Sequence, residues 1–140
     1  MSITTLSETS RRLTVQAWNQ HGSLANAEQD GEGLVSGGRV VGAARRVAAP
    51  GEWRTNVALG GHIEPASPPP LAQALALEAA AAIRGDLVGI DLLPLGEGFV
   101  VSEVNGAVDF KPRYALGPGN VFRSAVHELV RVAQLRRAAA

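Results

Sequence analysis

The sequence predicts an α+β fold in which an antiparallel sheet of hairpins packs against two helices. Two apolar stretches are each divided by a short turn rich in glycine or proline, a pattern typical of β-hairpins. Two longer segments place their apolar residues at helical spacing. The 140 residues, of which 46% are hydrophobic and 4% aromatic, suffice for one domain with an aliphatic core.

The first predicted hairpin turns at Gly37-Gly38, and the segment beginning at Leu34 leads into this pair. Two glycines supply the positive φ angles that a two-residue hairpin turn requires. Alternate residues of a strand face opposite sides of a sheet, so Arg45 and Arg46 are expected to point in opposite directions. We therefore expect one arginine at a site and the other in solvent.

The second predicted hairpin joins the apolar segments 87–93 and 99–105 through a turn from Pro94 to Gly98. Because both segments are short and apolar, they are expected to pair as neighbouring antiparallel strands.

A helix is predicted between the proline run 68–70 and Arg84, with Gly85 at its C-terminal end. A last helix is predicted from about Asn120, its N-cap, to Arg137. The apolar side of the earlier helix is expected to carry Leu71, Leu75 and Ile83. The apolar side of the last helix is expected to carry Val121, Ala125, Leu129 and Ala133.

The residues most able to support chemistry are Asp91, Glu103 and Asn105. Glu103 and Asn105 are two positions apart and project from one strand face, and Asp91 joins them if odd-numbered residues pair across the hairpin. Two carboxylates and a carboxamide form the hard-oxygen set that Mg²⁺ prefers. Spacing alone favours a simpler alternative, in which Glu103 and Asn105 end an edge strand and Asp91 faces water.

Composition excludes several functional classes. Thirteen basic residues balance thirteen acidic ones, so no overall positive field attracts a nucleic acid. The absence of cysteine excludes disulfides, thiolate zinc sites and thiol catalysis, and fits a reducing compartment. No apolar stretch is long enough to span a bilayer, and the N-terminus lacks the order of a signal peptide. We expect a cytoplasmic protein whose partners are neither nucleic acid nor membrane.

Three segments together resemble the C-terminal subdomain of RimK-type ATP-grasp ligases, in order and spacing. They are Arg54-Thr55-Asn56 with Gly60-Gly61, then Val88-Gly89-Ile90-Asp91, then Ser102-Glu103-Val104-Asn105. The resemblance covers the chain from about Leu34 to its end. It implies a ligase that uses ATP and Mg²⁺, with Mn²⁺ as the alternative cation. Phosphate would pass to a carboxylate, and an amine would attack the resulting acyl phosphate without any covalent protein nucleophile.

The resemblance also implies roles for individual residues. The implied metal ligands are Asp91, Glu103 and Asn105, the implied nucleotide contacts are Arg46, Arg54 and Asn56, and the implied catalytic residues are Arg46 and Arg54. Guanidinium groups offer fixed donors to anionic oxygens, which suits phosphate transfer.

Within this family, segment 103–111 is most similar to ligases of lysine biosynthesis. Those enzymes join α-aminoadipate to the C-terminal glutamate of a small acidic carrier protein called LysW. The implied partners are therefore ATP, an amino acid and an acidic carrier protein. Relatives that act on glutamate or in the arginine pathway share most of the pattern, so the amino substrate stays open.

We expect residues 1–30 to form an irregular arm and residues 31–140 to form the ATP-grasp C-terminal subdomain. No lysine precedes Lys111, and Asp30-Gly31-Glu32 stands where the family usually has Asp, an apolar residue and Arg. The chain is accordingly expected to be a truncated catalytic part of a ligase. The alternative is a non-catalytic interaction module, and exposed apolar sheet surface favours self-association.

Overall fold

The computed structural model describes residues 29–51, 57–96 and 98–140, and within them it shows a five-stranded sheet and two α-helices. Every strand pairing is antiparallel, in the order β3-β2-β1-β4-β5, which confirms the predicted α+β fold. No helix in these ranges is long and apolar enough to cross a bilayer. The elements are β1 (Gln29–Ser36), β2 (Arg39–Val47), β3 (His62–Pro65), α1 (Pro70–Ala82), β4 (Leu87–Leu95), β5 (Gly98–Asn105) and α2 (Val121–Ala138).

The two helices lie on opposite faces of the sheet, and each covers its own hydrophobic core. The core under α1 contains Val35, Val88, Ile90 and Leu92 from the central strands. The core under α2 contains Leu34, Val41, Ala44, Phe110 and Tyr114. Because adjacent residues of β1 contribute to different cores, this strand is buried on both sides.

Helix α1 buries a different side from the predicted one. Leu71 and Ile83 are more than half exposed, and Leu75 is only partly buried. Small side chains allow the helix backbone to approach the sheet closely, and a Cβ atom on Gly33 would lie 3.8 Å from that of Ala76. The residues that face the sheet are Ala72, Ala76, Ala79 and Ala80.

The C-terminal end of α1 is closed by a left-handed residue. Arg84 has φ 56°, and its backbone N–H donates to the carbonyl of Ala81 at 3.0 Å. The N–H of Gly85 donates to the carbonyl of Ala80 at 2.9 Å. This pair of bonds is a Schellman motif, in which glycine is the preferred left-handed residue. The sequence therefore places arginine at the position that glycine fits best.

Replacement of Arg84 with glycine is expected to raise the free energy of unfolding by about 0.5–1 kcal/mol, because glycine adopts positive φ without steric cost. Thermal or denaturant unfolding measures the effect. Arg84→Ala is the matched control, since it removes the same charged side chain but keeps the Cβ atom. Equal stabilities of the glycine and alanine variants would show that φ at this position carries no strain.

The first hairpin turns as predicted, with φ 56° at Gly37 and 77° at Gly38. Two residue pairs beyond the turn the pairing register shifts, because Leu34 pairs with Gly42 while Val35 pairs with Val40. Val41 is thus the extra residue of a β-bulge. The bulge determines which residues of β2 face each side of the sheet.

Strand β3 was not predicted, because four residues are too few to show an alternating pattern. It pairs with the end of β2 and forms one edge of the sheet. Gly60, which precedes the strand, has a left-handed φ of 90°. Helix α2 begins as predicted, since the Oδ1 atom of Asn120 accepts a hydrogen bond from the Phe122 N–H at 2.8 Å.

Candidate functional site

Asp91, Glu103 and Asn105 lie on the same face of the sheet. Asp91 pairs directly with Glu103, and Asn105 pairs with Gly89 two residues away. Directly opposed residues of an antiparallel pair share a face, and so do residues two apart on one strand. The predicted odd-to-odd pairing is therefore confirmed at these positions, on the face that also carries α2.

The geometry behind this pairing differs from the predicted one. The turn is tighter than the span from Pro94 to Gly98, because Leu95 already pairs with Gly98. A β-bulge then shifts the register, and Ser102 is its extra residue. The Ser102 hydroxyl donates to the carbonyl of Asp91 at 3.3 Å and supports the bulge. Without this bulge, Glu103 would face the opposite side from Asp91.

Arg46 lies among three carboxylates on this face. Its Nη2 atom donates to Oδ2 of Asp91 at 3.1 Å and lies 3.6 Å from Oε2 of Glu32. Its Nη1 atom lies 3.6 Å from Oδ2 of Asp30. One guanidinium group therefore offsets the charge of carboxylates from β1 and β4. We call Arg46, Asp30, Glu32 and Asp91 the carboxylate cluster.

The electrostatics of the carboxylate cluster follow from its burial and its excess negative charge. Burial raises the pKa of Glu32, and the nearby charge of Asp91 raises it further, while Arg46 acts in the opposite direction. Burial alone would lower the pKa of Arg46, but Asp30, Asp91 and Glu32 outweigh burial and raise it. The guanidinium group thus stays protonated, and Glu32 holds a proton more readily than an exposed glutamate.

Gly89 makes room for this arrangement. A Cβ atom at this position would lie 2.8 Å from Oε1 of Glu32 and 2.9 Å from Cγ1 of Val108. Both distances are shorter than van der Waals contact. The glycine of the Val88-Gly89-Ile90-Asp91 motif therefore lets the Glu32 side chain and the segment after β5 lie directly over β4.

The remaining predicted site residues fall into two groups. Arg54 and Asn56 lie outside the described residues, so their nucleotide contacts remain predictions. Arg45 lies on the opposite face from Arg46, as expected, and its Nε donates to Oε1 of Glu64 at the exposed edge formed by β2 and β3. The bulge at Val41 is the feature that brings Arg46 rather than Arg45 to the cluster.

Asp30 and Glu32 were missed as site residues, although their sequence was noted as a departure from the family pattern. The available signal was their spacing, because two carboxylates two apart on a strand share a face. Their position opposite Asp91 could not be predicted without the β1–β4 pairing, in which Glu32 is the direct partner of Asp91.

A divalent cation fits this face of the sheet. Asp91 is buried, and its Oδ1 atom accepts no hydrogen bond from the described residues. Glu103 is exposed and Asn105 is half-buried, so both side chains can reach solvent or a phosphate group. Among the described residues, no three His, Cys, Asp or Glu side chains form a metal site by themselves. The predicted pair of carboxylates with one carboxamide is a donor set of the oxygen type that Mg²⁺ prefers.

A separate groove of about 360 Å³ lies on the other face, between α1 and strands β1 and β2. Its walls are mainly small or apolar, and none of the predicted metal ligands lines it. Residues that line it include Gly31, Gly33, Ala43, Ala72 and Phe99. The groove thus lies apart from the predicted metal ligands, although Asp30 and Glu32 of the carboxylate cluster also line it.

Comparison with known proteins shows which family this chain belongs to. The family profile described as RimK-like ATP-grasp domain matches residues 3–114. The chain belongs to the RimK-like ATP-grasp family. This match confirms the family resemblance of the three motifs, and a carboxylate–amine ligase is the class of enzyme that the family supports.

Named relatives of this RimK-like chain are glutamate ligases. It is 42% identical over 74 residues to a probable alpha-L-glutamate ligase of Aeromonas salmonicida, an alignment covering 53% of this chain and 25% of the relative. A probable alpha-L-glutamate ligase of Thioalkalivibrio sulfidiphilus matches to the same extent. The coenzyme gamma-F420-2:alpha-L-glutamate ligase of Methanococcus maripaludis is 38% identical over 84 residues, which cover 60% of this chain and 29% of that protein. The aligned part thus spans about a quarter of the relatives' length.

The residues covered by the RimK-like match can be compared with the predicted arm and with the elements of the fold. The match begins at residue 3, within the segment predicted to be a separate arm, and the predicted boundary at residue 30 stays a prediction. It ends at residue 114, so helix α2 lies beyond it. The carboxylate cluster and the predicted metal ligands all lie inside the matched region.

Proposed function

We propose that this chain supplies the cation-binding and phosphate-binding part of an ATP-dependent ligase that joins a carboxylate to an amine. The observation that carries the proposal is the pairing of β4 with β5, which directs Asp91, Glu103 and Asn105 to one face. Family membership supports the reaction class. The unbonded Oδ1 atom of buried Asp91 supports the choice of ligand.

In this proposal, Asp91, Glu103 and Asn105 hold Mg²⁺ or Mn²⁺, which neutralises charge on the nucleotide phosphates. Arg46 holds the other carboxylate oxygen of Asp91, and this contact fixes the orientation of the side chain. A ligand whose rotamer is fixed loses less entropy when a cation binds. Arg46 is therefore a positioning residue as well as a predicted contact of the phosphates.

The reaction requires no covalent bond to the protein. The γ-phosphoryl group of ATP passes to a carboxylate oxygen, which gives an acyl phosphate and releases ADP. The amine nitrogen then attacks the acyl carbon, the bond to phosphate breaks, and an amide and inorganic phosphate result. Arg46 and Arg54, with Asn56, are proposed to donate hydrogen bonds to the transferring phosphate, where fixed donors stabilise developing charge.

The amino substrate is proposed to be a dicarboxylic amino acid. The relatives named above are glutamate ligases by name, whereas segment 103–111 resembles ligases that use α-aminoadipate. These amino acids differ by one methylene group, which a binding site distinguishes only weakly. We propose glutamate or α-aminoadipate as the amine donor, and a peptide or small acidic carrier protein as the carboxylate donor.

Calorimetric titration with ATP and Mg²⁺ tests the proposed cation site. The wild-type chain is expected to give a binding isotherm, and Glu103→Ala is expected to weaken binding about tenfold or more because one charged ligand is lost. Glu103 is exposed, so this variant should fold normally. Glu78→Ala, an exposed glutamate on α1 in a different layer, is the matched control.

Equal heats from the wild type and Glu103→Ala would remove Glu103 from the site. Absence of any magnesium-dependent heat from the wild type would contradict nucleotide binding by this chain. The alternative function, a non-catalytic interaction module, is favoured by one specific feature, the exposed apolar side of α2.

A further inference from the structure

Helix α2 carries an apolar stripe that faces solvent. Phe122 is 45% exposed, Val126 58% and Val130 49%. Residues four apart lie on the same side of a helix, so these three form a straight row roughly 12 Å long. The core side of the helix is formed by Val121 and Ala125. The row, which we call the α2 stripe, therefore belongs to neither of the two described cores.

The charges on α2 are almost entirely positive. Glu128 is the only acidic residue of the helix, and it is buried beside Arg39 and Arg131. The hydrogen bond from Arg131, 2.6 Å long, holds the pKa of Glu128 below its usual value. Arg136 is bound through both terminal nitrogens to Asp86, at 2.7 and 2.8 Å. Each of these arginines is already paired with a carboxylate.

Arg123 and Arg137 differ from the other arginines of α2. Arg123 precedes Val126 by three positions and Arg137 follows Val130 by seven, so both lie beside the α2 stripe. Both are exposed, and neither forms an ion pair with a described residue. The stripe is thus an apolar row flanked by uncompensated positive charge.

The charge pattern disfavours a second copy of this chain as the partner. Packing two stripes in parallel would bring each Arg123 close to its equivalent. Packing them antiparallel would bring Arg123 close to Arg137 of the other copy. Repulsion between like charges opposes both arrangements. A partner that carries acidic groups beside its own apolar row would instead be attracted to the stripe.

We propose that the α2 stripe is a docking surface for an acidic amphipathic helix of another protein. A straight row at four-residue spacing fits the ridges of a second helix, whose apolar residues would cover Phe122, Val126 and Val130. Its carboxylates would pair with Arg123 and Arg137. The inference is independent of the proposed ligase activity, because α2 lies beyond the matched part of the family and carries none of the predicted metal ligands.

Fluorescence anisotropy with a labelled synthetic helix tests the proposal. The probe is a peptide of about 20 residues with leucine at heptad a and d positions and glutamate at the flanking positions. The comparison probe has lysine in place of glutamate. The wild type is expected to bind the glutamate peptide at least tenfold more tightly than the lysine peptide. The double variant Arg123→Glu/Arg137→Glu is expected to reverse this preference.

Polar variants distinguish the stripe from other apolar surface. Val126→Gln/Val130→Gln is expected to weaken peptide binding about tenfold or more while leaving Tm unchanged, because both valines are already exposed. Leu135→Gln is the matched control, since Leu135 is an exposed apolar residue of α2, 59% exposed, outside the stripe. This control is expected to bind like the wild type.

Several results would overturn the proposal. No binding of the glutamate peptide would do so, as would equal loss in the Leu135→Gln control. Dimerisation of the wild type in light scattering that disappears in Val126→Gln/Val130→Gln would identify a second copy as the partner. Binding to vesicles of anionic phosphatidylglycerol that depends on the same valines, without peptide binding, would identify a membrane surface instead.

Discussion

Replacement of Gly42 with alanine is expected to lower the free energy of unfolding by about 3 kcal/mol and the Tm by about 10 °C. The new Cβ atom would lie 2.4 Å from Cγ2 of Val121 and 2.8 Å from the carbonyl oxygen of Tyr114. The Tyr114 oxygen belongs to the backbone, so it cannot be displaced by a change of rotamer. Either α2 or the segment before it must therefore move away from β2. Thermal and denaturant unfolding measure the loss.

Gly117→Ala is the matched control for the same substitution. A Cβ atom at Gly117 would meet no atom within 4 Å, and its φ is not in the left-handed region. Its stability is expected to stay within about 0.5 kcal/mol of the wild type. If the two variants unfold at the same temperature, β2 and α2 are not in close contact at Gly42.

The close approach at Gly42 also explains which side of α2 is free. Val121 lies directly over the glycine, and the Ser36 hydroxyl donates to the carbonyl of Ala125 at 2.8 Å. Two contacts on successive turns fix the rotation of the helix about its axis. With that rotation fixed, Val126 points to solvent, so the exposure of the α2 stripe follows from the packing of the opposite side.

The sequence predicted both hairpins and both helices, because glycine turns and helical spacing are local signals. It could not predict which arginine of β2 faces the site. A two-residue turn at Gly37-Gly38 without a bulge would place Arg45 opposite Asp30. The extra residue at Val41 places Arg46 there instead. A β-bulge adds one unpaired residue to a strand, and no sequence pattern near Val41 indicates it.

The second hairpin shows a correct prediction reached through a different geometry. Asp91, Glu103 and Asn105 share a face as predicted, but a tight turn and a bulge at Ser102 replace the expected longer loop. The predicted five-residue loop would pair Asp91 with Val101, two residues from Glu103, and would therefore place Asp91 on the same face as the observed pairing does. Sequence spacing therefore predicted the faces correctly, although it could not locate the irregularity.

The buried side of α1 could not be predicted from hydrophobicity alone. Leucine and isoleucine are more apolar than alanine, so Leu71 and Ile83 were assigned to the core. The sheet surface beneath α1 instead contacts the alanine side of the helix, where Ala76 lies near Gly33. Complementary shape on another element decided the orientation, and that information is not local in sequence.

Replacement of Arg46 with methionine is expected to lower the free energy of unfolding by about 2 kcal/mol near neutral pH. Methionine keeps much of the apolar stem but leaves Asp30, Glu32 and Asp91 without their shared positive charge. The value is smaller than for a fully buried ion pair, because about a third of the Arg46 side chain is exposed. Denaturant unfolding of both proteins measures the difference.

The pH dependence of this difference has a definite sign. Burial and the charge of Asp91 already raise the pKa of Glu32, and loss of Arg46 removes the contact that opposes them. In the folded variant Glu32 then binds a proton more tightly than it does in the unfolded chain. The free energy of unfolding of the variant therefore rises as the pH falls through the folded pKa of Glu32 toward 4.5, the ordinary value for glutamate. The difference in free energy of unfolding between the variant and the wild type is expected to become smaller in mildly acidic buffer.

Arg45→Met is the matched control, because Arg45 pairs with Glu64 at an exposed edge of the sheet. This substitution is expected to change the free energy of unfolding by no more than about 0.5 kcal/mol, and the change should depend little on pH. The difference in free energy of unfolding between Arg46→Met and the wild type could instead grow as the pH falls. That result would mean that repulsion among the three carboxylates is not what destabilises the variant. A loss as small as that of Arg45→Met would show that Arg46 is not needed to offset the charge of the cluster.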